Sequence, residues 1–288
     1  MSTKSLSLFD LAPGKVLLDR YKISGAHRHG GMSTAFEAAD LKGKGSCELQ
    51  LFPSALFEEK KQAAEFARSM MSWMEVESAH VTRAREVHAL DDGTILLVTD
   101  LPPRTSLKEW RGTKALDAGA AVEIGLQLCE GLGAIHAQKL VHGDIKPHTV
   151  HIDDGKKPKI LLVDGGITPG LWSAKHLGDK TALIGTPFYA PIEQFGGEAP
   201  DVQSDIYNVA TVLFELVTGV LPWKGKSFLD VFQEKLQKTP PAMAARAPKV
   251  DVPKELEAAI ASGLMADKRE RCKSAEEFAK RLKAAMKA

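Results

Sequence analysis

Two carboxylates stand in settings that suit chemistry. Asp144 lies in the run His142-Gly143-Asp144-Ile145-Lys146-Pro147-His148-Thr149, after an apolar, helix-like stretch from Ala120 to His136. Asp164 ends a β-like run, Lys159-Ile-Leu-Leu-Val-Asp164-Gly-Gly166, about twenty residues later. Each acid is therefore presented on a loop beside a short apolar strand. Such a pair suits phosphoryl transfer, where one acid orients a hydroxyl and the other holds Mg²⁺.

The elements that position these loops follow from patterning. From Val16 the chain alternates in β fashion through Tyr21-Lys-Ile23, and Cys47-Glu-Leu-Gln-Leu-Phe52 reads as another strand. Phe57 to Glu75 carries Phe66, Met70, Trp73 and Met74 at helical spacing. Strands are expected over 84–89 and 94–99, around the turn Asp91-Asp92-Gly93. Helices are expected at Leu107 to Trp110 and Ala118 to His136. The 288 residues fit one two-lobed domain or two small ones, and 44% apolar with 26% charged content is that of an ordinary globular chain. A formal net charge of +1 gives no bulk attraction to nucleic acid or anionic membrane. Cys47, Cys129 and Cys272 lack Cys-x-x-Cys spacing, which fits a reduced compartment. The sequence reads as having no membrane span and no signal peptide, so a cytoplasmic location is expected.

His-x-Asp-x-Lys-Pro followed by Asp-x-Gly resembles the catalytic and metal loops of protein kinases, in particular bacterial serine/threonine kinases of the eukaryotic-like (Hanks) type. Further motifs keep the family's order: Gly25 to Ala39 with Gly30-Gly31-Met32 at the glycine-rich hairpin, Gly185-Thr-Pro-Phe-Tyr-Ala-Pro-Ile-Glu-Gln194, Ser204-Asp205 to Trp223, and Asp267-Lys-Arg-Glu-Arg271 with Ser274 to Phe278. The resemblance covers about Val16 to Phe278. It implies an α+β, bilobal fold: a flexible segment 1–13, a β-rich small lobe 14–100, a hinge 101–106 and a helical large lobe 107–288. It assigns Asp144 as catalytic base, Lys146 as a phosphate contact and Asp164 as the metal ligand. Gly25, Gly30, Gly31, Gln50, Asp100 and Thr149 fall at the nucleotide site. Asp205 should brace the catalytic loop, and Arg271 should pair with Glu193.

The same alignment exposes departures. Gln50 stands where the family has the lysine that holds the nucleotide phosphates, and it offers a dipole instead of a charge. Glu48 replaces the small residue above the adenine, and Pro102 falls where a backbone N–H should donate to that ring. Both are expected to occlude the pocket. His27, Arg28 and His29 crowd the hairpin, and His27-x-His29 lacks a third ligand for a metal. The small-lobe glutamate becomes Ser69, or Glu65 one turn away. Gly143 replaces the arginine that clamps a phosphorylated loop, so phosphates on Thr181 or Thr186 lose their usual partner. Thr149 replaces a metal-binding asparagine. Gly165 replaces the phenylalanine of Asp-Phe-Gly and is expected to leave a gap. The expectation is a pseudokinase: a binding or regulatory module for a protein partner, with no tightly bound cofactor and no nucleic-acid target. The alternative is a weak serine/threonine kinase using Mg-ATP, with Lys42, Lys44 or Arg28 supplying the missing charge. A third possibility is a nucleotide sensor that does not catalyse.

Overall fold

The computed structural model describes residues 11–29, 33–43, 45–155, 157–175, 187–237 and 239–287. Gly30, Gly31, Lys44, Thr181 and Thr186 lie outside these. The first lobe is a sheet of β1 (Val16–Leu17), β2 (Tyr21–His29), β3 (Thr34–Asp40), β4 (Ser46–Phe52), β5 (Ala84–Ala89) and β6 (Ile95–Asp100). All neighbours are antiparallel, in the order β1-β2-β3-β4-β6-β5. Cys47, Leu49 and Leu51 alternate onto one face of β4, where they meet Phe36, Ala38, Leu96 and Val98. Glu48 and Gln50 consequently face the other way, toward the second lobe. Leu11 packs into the same cluster, so burial begins before Pro13, inside the segment expected to be flexible.

Between β4 and β5 runs α1 (Lys60–Met71), extended by a 3₁₀ turn over Ser72–Glu75. Ala63, Phe66, Ala67 and Met70 recur at helical spacing and form its buried stripe. The second lobe holds α2 (Leu107–Arg111), α3 (Ala118–Ala137), the hairpin of β7 (Val150–Asp153) and β8 (Lys159–Leu162), α4 (Ile167–Ala174), α5 (Ile192–Phe195), α6 (Val202–Thr218), α7 (Phe228–Lys235), α8 (Met243–Arg246), α9 (Lys254–Gly263) and α10 (Ala275–Ala285). With 20 residues, α3 is by length and composition alone apolar enough to cross a membrane. Here its apolar residues, among them Ile124, Leu128 and Leu132, pack within the lobe beside α6 and α10.

The centre of this lobe is α6. Its start is fixed by reciprocal capping between Asp201 and Ser204, and it is buried from Ser204 to Thr218. Asp205, fully enclosed on it, accepts from the backbone N–H of His142 (2.9 Å) and of Gly143 (2.8 Å), and pairs with His136 Nε2 at 2.9 Å. The Asp144 loop is thus held by its backbone from below. Asn208, one turn on, accepts from Ile145 N–H and donates to Tyr189 O. Arg271 is 1% exposed and reaches Glu193 with two donors, at 2.6 and 3.0 Å, as the resemblance to kinases implies. Removing one partner of a buried, doubly bonded pair leaves the other charge stranded. Arg271→Ala should therefore destabilise by roughly 3–5 kcal/mol, measured as the urea midpoint; a variant matching the parent would show the pair to be unimportant.

Candidate functional site

Strand register decides what faces the cleft between the lobes. One row across the sheet is Gly25, Glu37, Glu48 and Thr99; the next is Arg28, Ala35, Gln50 and Leu97. The rows are two residues apart on β3, β4 and β6 but three apart on β2, because a bulge inserts His27 between Ala26 and Arg28. The bulge brings Arg28 onto the row of Gln50. From there its guanidinium makes two forked pairs. Nε and Nη2 donate to Glu48 at 2.9 and 2.7 Å. Nη1 and Nη2 donate to Asp164, across the cleft, at 2.6 Å each. Gln50 Nε2 donates to the same two acids, at 3.0 Å to Glu48 and 2.8 Å to Asp164. Because both partners accept only, the amide orientation follows from the chemistry.

Glu48 was expected to repel and crowd a nucleotide; it is instead neutralised in place, fully buried, by Arg28. Burial pushes the Asp164 carboxyl up, but the adjacent Arg28 charge and the hydrogen bonds from Arg28 and Gln50 outweigh it and leave it below the usual range. The neighbouring His27 also turns inward. Its Nε2 donates to Pro102 O at 3.2 Å and lies 3.8 Å from Glu48. Pro102 indeed has no N–H to offer, and its carbonyl is already occupied by a side chain of this protein. Among the described residues, Arg28, Glu48, Gln50 and Asp164 line a small cavity of about 20 Å³, room for one water.

The other predicted residues separate into two groups. Asp144 and Lys146 come together, with Lys146 Nζ 2.6 Å from Asp144. Thr149 is 4% exposed, and its hydroxyl accepts from Lys146 N–H and donates to Asp144 O at 2.8 Å. It ties the loop rather than facing Asp164. Asp100 pairs with Arg85 at 2.5 Å, and its half-exposed side chain is turned away from the clamp. Gly25 sits in β2 with open space beside it, and Lys42 is exposed. Ser69 lies against Gly170 of α4, and Glu65 pairs weakly with Lys61 at 3.9 Å.

Gly165 leaves no gap, contrary to expectation. The Trp73 indole, from the turn after α1, fills the space: a Cβ on Gly165 or on Gly166 would overlap the ring. The same ring meets His142 edge-on, centroids 6.5 Å apart. Gly166, at φ 74°, then caps α4, which packs along α1. The missing arginine has a similar cause. Gly143 adopts φ 82°, and a Cβ there would lie 2.6 Å from Pro169 of α4. Sequence reasoning noted Trp73 only as an apolar helix residue; two adjacent glycines where an aromatic is expected were the available signal.

The sequence matches the protein kinase domain family over residues 30–282. The chain belongs to the protein kinase domain family. It is 25% identical over 281 residues to the serine/threonine-protein kinase pkn3 of Myxococcus xanthus, covering 94% of this chain and 51% of that protein. It is 26% identical over 276 residues to PrkC of Bacillus subtilis, covering 96% of this chain and 42% of that protein. The chain therefore spans about half the length, or less, of these curated relatives. The fold matches the crystal structure of the Mycobacterium tuberculosis PknI kinase domain with TM-score 0.74 at 19% identity, covering 96% of this chain and 99% of that one. Bilobal kinase architecture is thus established, with the sheet as small lobe and the helices as large lobe.

In this kinase fold the Trp73 contact can be tested by exchange. Gly165→Phe alone should destabilise through overlap, and Trp73→Gly alone through a cavity. Combined, they should be coupled by at least about 1 kcal/mol toward recovery in a double-mutant cycle; simple additivity would mean that the ring and the glycine do not share the space.

Burial pushes His27, His142 and His151 below the ordinary imidazole range. Each is therefore neutral in the native state and binds its proton more readily when unfolded. Stability from this source is complete above the unfolded value of about 6.5 and is lost as pH falls from there toward the lowered folded values. The urea midpoint should drop between about pH 7 and about pH 5; a flat profile would contradict neutral burial.

Proposed function

We propose that this chain is a kinase-fold binding or regulatory module whose nucleotide cleft is closed by its own side chains, with little or no phosphate transfer. The observation that carries this reading is the Arg28 guanidinium, held by both Glu48 and Asp164. Mg-ATP, the family's usual cofactor pair, does not fit these residues as they stand. Asp164 is engaged by a cation already, Thr149 is turned into its own loop, and the Pro102 carbonyl is taken by His27. Displacing Arg28 would leave two carboxylates to face a triphosphate with only the neutral Gln50 beside them. The retained scaffold, Asp205 below the loop and Glu193 with Arg271, supports a folded surface able to bind a protein partner.

Two observations favour a second reading, a weak serine/threonine kinase. Asp144 and Lys146 are paired, and Arg28 places a cation at Asp164, from where a turn toward phosphate would replace the missing lysine.

Thermal titration separates the two. A ligand at about 100 times its Kd stabilises by roughly 2.7 kcal/mol, or about 5–10 °C for a domain of this size. The expected shift with millimolar Mg-ATP is near zero, and radiolabel transfer to the chain itself or to generic proteins should be absent. A clear shift, or incorporation that disappears on Asp144→Asn and on Arg28→Ala, would establish the second reading instead.

A further inference from the structure

The contacts around Arg28 describe more than a blocked site. Two carboxylates approach adjacent edges of one planar cation, so that its N–H groups are matched in pairs. One edge lies against Glu48, which is fully enclosed, and the other against Asp164 on the opposite lobe. Gln50 lies in reach of both acids and turns its N–H, not its oxygen, toward them. An ammonium group is a point charge without the forked, planar donors that this arrangement matches. A divalent metal would prefer oxygens throughout and would meet the Gln50 N–H. The arrangement is therefore shaped for a guanidinium.

A second observation points the same way. Gln50 is 1% exposed, lines the small cavity beside the clamp, and its Oε1 has no hydrogen-bond partner. A buried acceptor without a donor is costly. An unanswered acceptor beside the clamp marks a place where a donor-bearing group is stabilised.

We infer that Glu48, Asp164 and Gln50 form a binding site for the guanidinium group, filled within the chain by Arg28 and able to take the same group from outside once Arg28 is removed. The cleft that in the family receives an anionic nucleotide has thereby become selective for a cation. This does not rest on the absence of phosphate transfer, because the clamp is read from its own geometry. The ligand class is a guanidino compound, whether a free small molecule or an arginine side chain presented by a partner protein.

The test is chemical rescue. Arg28→Ala should be destabilised, and low-millimolar methylguanidinium should raise its melting temperature saturably by several degrees. Methylammonium, urea and MgCl₂ at matched ionic strength should not. The rescue should vanish in Arg28→Ala combined with Glu48→Gln, while the unmodified chain, its clamp already filled, should not respond. Where the alanine variant does not fold, Arg28→Gln keeps the stem without the charge and serves in its place. Agmatine and an arginine tripeptide, applied to the same variant, distinguish the two sources of the group, and saturable binding of either supports the site. Equal stabilisation by methylammonium would reduce the clamp to a generic acidic patch, stabilisation by MgCl₂ would make it a metal site, and no stabilisation by any guanidinium probe would overturn the inference. Mg-ATP titration reads the nucleotide question separately, so the two outcomes cannot be confused.

Discussion

Glu48 and Asp164 are carried by different lobes and would repel one another across the cleft. Arg28 sits between them and answers both. Guanidinium suits this because it delocalises its charge over a plane and bonds two acids at once. The consequence is mechanical as well as electrostatic, since a side chain of β2 now fastens the small lobe to the loop after β8. Lys175, at the end of α4, adds a second tie by donating to Leu56 O at 2.8 Å. The geometry of the cleft therefore depends on an ion pair that the chain supplies to itself.

The changes around this clamp compensate one another. Gly165 and Gly166 give up side chains where Trp73 enters, and Gly143 gives up its side chain where Pro169 of α4 enters. Each substitution taken alone looks like a loss. Taken with its neighbour, each is an exchange of one packed group for another, and the interior stays filled. The departures from the family pattern form a coherent alternative packing rather than decay, in keeping with the requirement that local choices agree with the global structure.

Much of the architecture was legible because it rests on local rules. The alternation on β4 and the stripe on α1 could be read directly, and the resemblance to kinases implied the contacts of Asp205 with the catalytic loop and of Arg271 with Glu193. The centre of the cleft could not. Alternation along β2 assigns His27, not Arg28, to the row below Gly25, and the bulge that reverses this leaves no mark in composition. Trp73 was visible as an apolar residue, but its destination depends on the path of α4, whose course is set by tertiary contacts. Glu48 was read from its own bulk and charge, without a partner. Its effect depends on a partner twenty residues away in sequence whose position only the register reveals.

The bulge in β2 also has a genetic side. Two consecutive codons supply contacts at two points of the cleft: His27 reaches Pro102 and Arg28 reaches the acids. Deleting the His27 codon would remove the bulge between Ala26 and Arg28, leaving the irregularity between Ile23 and Gly25, with Arg28 still on the row of Gln50. The contact to Pro102 and the contact to the acids are thus inherited from adjacent positions.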